Sequence, residues 1–93
     1  MRKVLMAAAM MGASSLAFAG ADCVEHPESE QLHILDMQKK IVNEYGFAIK
    51  KFLRSGDCYE IYGWGLNEDG TKFDRIEVYF DTKTGDIVKK EID

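Results

Sequence analysis

Proline and tryptophan are nearly missing from this chain, with one of each (Pro27, Trp64) in 93 residues. No proline-rich linker, internal repeat or low-complexity segment follows Gly20. Basic charge is also scarce: 12 Lys and Arg stand against 16 Asp and Glu, a net charge of −4. A nucleic-acid backbone or an anionic membrane surface demands the opposite sign, so both are excluded as partners. A spanning helix needs about 20 apolar residues. The one apolar run, Val4 to Met11, is too short and is followed by Gly, Ser and Ala. Cysteine and histidine occur twice each, as Cys23, Cys58, His26 and His33. Beyond the leader the serines are Ser29 and Ser55, neither in a G-x-S-x-G elbow, and the two histidines are the only imidazole bases. No catalytic residue is assigned, and the chain reads as a non-enzyme.

What is present begins with the leader. Arg2 and Lys3 precede the apolar run, and Ala17-Phe18-Ala19 supplies small residues at an A-x-A site. Those are the three parts of a secretory signal, so residues 1–19 are expected to be removed. Cleavage after Ala21 is the alternative. Asp22 stands before Cys23 where a lipoprotein anchor calls for a small residue. Loss of Arg2 and Lys3 leaves residues 20–93 still more acidic, in one domain placed in the periplasm or secreted.

A domain this small buries a limited core. An oxidising compartment makes a disulfide available, and two cysteines permit one pairing, Cys23 to Cys58. Their separation is unlike a redox C-x-x-C pair.

Pro27, with Glu28 and Glu30 after it, suits a helix start. Apolar residues at Leu32, Ile34, Leu35, Met37, Ile41, Val42 and Tyr45 then predict one helix over 28–45, the 34–41–45 and 35–42 spacings giving a single apolar stripe, stopped by Gly46. Beyond it the period changes to two. "FAIKKFL" predicts a strand with a bulge, since Phe47 and Ile49 alternate and Phe52 falls out of phase. "CYEIYGW", "KFDRIEVYF" and "DIVKKEI" predict three more strands, divided by turns at SGD, NEDGT and DTKTG. Short loops favour antiparallel neighbours. The expected fold is α+β: an N-terminal helix packed on one face of a four-stranded antiparallel meander.

The run "GFAIKKFLRSGDCYEIYGWGLNEDGTKFDRIEVYFDTKTGDIV" resembles the PepSY domain through its glycine-aromatic strand, "CYE", "DG" turn, "EVYFD" and "TGD". It is most similar to small exported proteins made of a signal peptide and one such module. Thr82 departs from the pattern, where proline is common. PepSY modules occur in propeptides of thermolysin-type secreted metallopeptidases and in bacterial envelope proteins. They are similar to the repeat of beta-lactamase inhibitory protein, a helix on a sheet. The resemblance implies a monomeric binding module that restrains or modulates a peptidase or another envelope protein, with no cofactor. The competing reading is a small-ligand or metal-binding periplasmic sensor or accessory protein.

Two stretches invite comparison with ion sites. Glu30, His33 and Met37 would share a face of the predicted helix, near Cys23 and His26. A bridged Cys23 and a core Met37 would leave one or two ligands, so no metal ligand is assigned. A calcium loop ending its turn at Gly70 would need acidic groups at Gly65 and Ile76, and fails. The remaining candidates are aromatic. Alternation sets Tyr62, Trp64 and Tyr79 on the sheet face away from the helix, among Glu60, Arg75 and Glu77, as a partner-binding surface. Parity also sets Cys58 on that side, although a bridge was expected to lead towards the helix. Either Cys58 sits at the strand end or the faces are reversed. Lys50-Lys51 and Lys89-Lys90 are expected to guard edge strands.

Overall fold

The computed structural model describes residues 20–93, so the leader assigned to residues 1–19 lies outside them. A 3-10 turn at Glu28–Glu30 precedes helix α1 (Ile34–Asn43), and strands β1 (Ala48–Ser55), β2 (Cys58–Leu66), β3 (Phe73–Asp81) and β4 (Ile87–Ile92) follow. All neighbours are antiparallel, in the order β1-β2-β3-β4. The expected α+β meander is the fold.

The helix differs from expectation at its start. The segment between the 3-10 turn and α1 is extended at Gln31 (ψ 147°) and His33 (ψ 146°). Tertiary hydrogen bonds hold it so: Leu32 N–H donates to Thr82 O at 2.8 Å, and the Tyr59 hydroxyl donates to Leu32 O at 2.8 Å. His33 then caps α1, its Nδ1 accepting from Leu35 N–H at 3.0 Å. The predicted stripe is displaced as well. Met37 and Ile41 are fully buried, whereas Ile34, Leu35 and Val42 are about half exposed. Leu32, drawn against the sheet ahead of the helix, takes part in the core instead.

Register explains the core. Tyr59 opposes Phe80, Ile61 opposes Val78 and Gly63 opposes Ile76, so these residues share the face that Met37 and Ile41 cover. The bulge expected in β1 lies between Ile49 and Lys51. Gly56, Gly70 and Gly85 turn the hairpins with positive φ. β1 and β4 are the edges. Lys90 nonetheless reaches inward, with Nζ 5.4 Å from the Phe47 ring centre.

Candidate functional site

The face away from α1 is ordered in rows by the strand register. Leu53, Glu60, Tyr79 and Lys89 form one row, and Lys51, Tyr62, Glu77 and Glu91 the next. Trp64 then opposes Arg75, and Leu66 opposes Phe73. Towards the other end Ser55, Cys58 and Asp81 are neighbours.

Cys23 and Cys58 form the bridge, with Cα atoms 5.4 Å apart. Cys58 opens β2 with the parity of Tyr62, so the bridge draws the start of the lead-in (residues 20–27) to the face away from the helix and the faces are not reversed. Residues 20–23 lie across the face away from the helix. Gly20 packs on the Tyr79 ring, its carbonyl accepts from Lys89 Nζ at 3.4 Å, and Cys58 Sγ lies 3.5 Å from Ala21 O.

From there the chain turns round the end of the sheet. His26 Nε2 lies 3.0 Å from Asp81 Oδ2. Asp81 Oδ1 accepts from Lys83 N–H at 2.8 Å and Thr84 N–H at 3.0 Å, closing the β3–β4 turn. Burial pushes this carboxyl up, but the Thr84 N–H, His26 and the Lys83 N–H outweigh it and hold Asp81 at about 2. A depressed carboxyl stabilises the fold above its unfolded pKa of about 3.9, and the contribution disappears as pH falls through the folded value. The gap corresponds to roughly 2–3 kcal/mol. Asp81→Asn keeps the turn acceptor but not the charge. Its melting temperature should therefore fall less steeply than the parent's between about pH 4 and pH 2; parallel curves would refute the assignment.

Of the three aromatic candidates, the structure separates one from the others. Tyr62 and Trp64 are each 36 % exposed, whereas Tyr79 is 6 % exposed beneath the lead-in. The Tyr79 hydroxyl donates to Glu77 Oε2 at 2.6 Å. Two residues unsuspected from sequence extend the surface: Leu66, 53 % exposed, and Phe73, 67 % exposed, form the row beyond Trp64 and Arg75. Strict alternation through both strands was the signal that placed them there.

Glu60 was expected on a solvated face and is instead 3 % exposed. Its Oε2 has no hydrogen-bond partner among the described residues. Burial pushes its carboxyl up, and hydrogen bonding to Glu77 adds to the shift. Glu77 is held down by hydrogen bonds from Glu60 and Tyr79. The raised Glu60 and the lowered Glu77 are the opposite responses of two neighbouring carboxyls, one buried and one better supplied with donors.

The ion candidates come apart. Extended backbone between Glu30 and His33 removes their common helix face, Met37 is fully buried, and Cys23 is in the bridge. Among the described residues no cluster of His, Cys, Asp and Glu is arranged to hold a metal. A cleft of about 260 Å³ between the α1 start and β1 is lined by Gln31, Leu32, His33, Arg54 and Tyr59 among others. Arg54 is already engaged there, donating to Gln31 Oε1 at 2.6 Å and lying 5.2 Å from the Tyr59 ring centre.

A family model described as "Peptidase propeptide and YPEB domain" matches residues 3–91. No curated protein and no solved structure matches the chain.

Proposed function

The chain belongs to the peptidase propeptide and YPEB domain family, and from that premise we propose that it is an exported, non-enzymatic binding module acting on a peptidase or another secreted or envelope protein. The module works after removal of residues 1–19, as a monomer in the periplasm or outside the cell. It acts by occlusion, laying its open sheet face over the partner.

The observation that carries this reading is the run of exposed Tyr62, Trp64, Leu66 and Phe73 on one face of the β2–β3 hairpin. Scattered single exposed apolar residues need no explanation, but adjacent large ones rimmed by charge mark contact surfaces. Here Lys51, Arg75 and Glu77 supply the rim. Aromatics in such positions contribute most of the binding energy at protein interfaces.

The test uses the oxidised protein as bait in native envelope extract, with mass spectrometry as readout. One peptidase or envelope protein should be enriched, and Trp64→Ala should weaken its binding by about tenfold or more with an unchanged melting temperature. Equal capture by Trp64→Ala and Phe73→Ala would exclude this face. A further distinction is simple, since an occluding module should slow hydrolysis by the captured peptidase, whereas a passive scaffold should leave it unaltered.

A further inference from the structure

The open face is one cation short. Glu60, Glu77 and Glu91 lie in its two central rows, and the one lysine within those rows on β4, Lys89, pairs with Glu91 at 3.0 Å. Among the described residues no lysine or arginine forms an ion pair with Glu60 or Glu77. Glu60 is almost wholly buried, and with both carboxyls ionised its Oε2 faces no donor. An uncompensated buried carboxylate is costly, so this position calls either for a proton or for a cation.

The backbone that packs on the Tyr79 ring, beside the pair, belongs to Gly20. A Cβ placed on Gly20 would lie 3.1 Å from Tyr79 Cε2, 3.6 Å from Tyr79 Cζ and 3.5 Å from Ser55 Oγ. The Tyr79 hydroxyl is in turn 2.6 Å from Glu77 Oε2, and Tyr79 opposes Glu60 across β2 and β3. One phenol ring therefore lies between Gly20 and Glu77 and is the cross-strand neighbour of Glu60. Gly20 is also the residue that follows the A-x-A site.

We propose that cleavage between Ala19 and Gly20 creates an α-ammonium which the Glu60–Glu77 pair binds, so that the processed N-terminus becomes a structural cation of the open face. This rests on the reading of residues 1–19 as a removed leader. Hydrolysis breaks the Ala19–Gly20 C–N bond and consumes one water. Ala19 leaves as a carboxylate, and the Gly20 nitrogen changes from a neutral amide with one N–H to a cation with three. That cation supplies the donor that the buried Glu60 Oε2 lacks and lets both carboxyls ionise. The other charged or titratable groups on this face are Lys51 of β1, Tyr62 of β2, Arg75 and Tyr79 of β3, and Lys89 and Glu91 of β4, with Asp22 in the segment that crosses it. Lys89 opposes a second cation, but its Nζ is engaged by Glu91 and the Gly20 carbonyl.

The experiment exports the full chain, recovers the processed protein and fixes its first residue by intact mass. The Gly20 α-amine is then titrated by NMR through its Hα signals. A terminus at Gly20 should titrate at least about one pH unit above the ordinary α-amino range of about 7.7–8.0. The Glu60→Gln, Glu77→Gln double variant should return it to that range, and the parent titration decides alone if this variant does not fold. A Gly20 terminus with an ordinary pKa would overturn the ammonium site while leaving the leader reading intact. A terminus at Asp22 would overturn both, because Gly20 would be gone.

Discussion

Gly63→Ala is expected to destabilise the domain by about 3 kcal/mol, at the upper end of what one added methyl does in a packed site. Gly63 lies where β1 bulges between Ile49 and Lys51, and there the Ala48 carbonyl folds over the Gly63 Cα. A Cβ at this position would overlap the Ala48 carbonyl oxygen and come within 3.3 Å of Ile49 Cα. The obstructing atoms are backbone, so no side-chain rotation relieves the overlap. The bulge must open or β1 must part from β2. Chemical denaturation measures the loss, and hydrogen exchange should localise it to β1 amides. Gly56→Ala is the control. Gly56 has φ 58° but open space around it; its cost should stay near the 1–2 kcal/mol of a left-handed residue. Equal stabilities for the parent and Gly63→Ala would refute the close approach.

Reducing the Cys23–Cys58 bridge should lower stability by roughly 3.5–4 kcal/mol on the loop-entropy account, since it closes a loop of sequence separation 35. For a domain of this size that corresponds to a drop of about 15–30 °C in the melting temperature. The Cys23→Ala, Cys58→Ala double variant should behave like the reduced protein. The loss should fall at the upper end of that range, because the bridge also fixes the segment that packs on the Tyr79 ring beside Glu60. Release of that segment should expose Glu60 and bring its raised carboxyl pKa back towards the ordinary range. A raised carboxyl stabilises the fold below its unfolded pKa, and that contribution is lost as pH rises through the folded value. With a residue still joined to the Gly20 nitrogen, so that no α-ammonium is present, the oxidised protein should therefore lose stability on going from acid to neutral pH relative to Glu60→Gln, and the reduced pair should not differ. A melting temperature insensitive to reduction would refute the account of the bridge.

The strands were legible because their information is local. Alternation in "CYEIYGW" and "KFDRIEVYF" fixes which residues share a face, and SGD, NEDGT and DTKTG supply glycines at the positive-φ positions 56, 70 and 85. The break before α1 was not legible, because Leu32 N–H and the Leu32 carbonyl are held by Thr82 and Tyr59, both distant in sequence. Propensity alone continues a helix through "ESEQLHIL". Burial of Glu60 and Tyr79 was hidden for a related reason. Alternation says which face a side chain is on, not what crosses that face. The clue was Cys58, whose parity required its partner, and so the lead-in, to be on the Tyr62 side. Leu66 and Phe73 obeyed the same alternation as Trp64 and Arg75, but their place in the flanks of a turn concealed them.

The covalent link between Cys23 and Cys58 also determines how the molecule transmits mechanical tension. A pull applied at Gly20 passes through three residues to Cys23, crosses the two sulfurs, and enters β2 at Cys58. It leaves towards Asp93 through β3 and β4. The helix and β1 lie inside the closed covalent ring and feel none of that force. Under reducing conditions the path runs through every residue, and α1, attached to the sheet chiefly through Met37 and Ile41, would be the first to peel away. A single-molecule extension trace should therefore be shorter in the oxidised protein by the contour of the ring, about 35 residues at roughly 3.3–3.6 Å each.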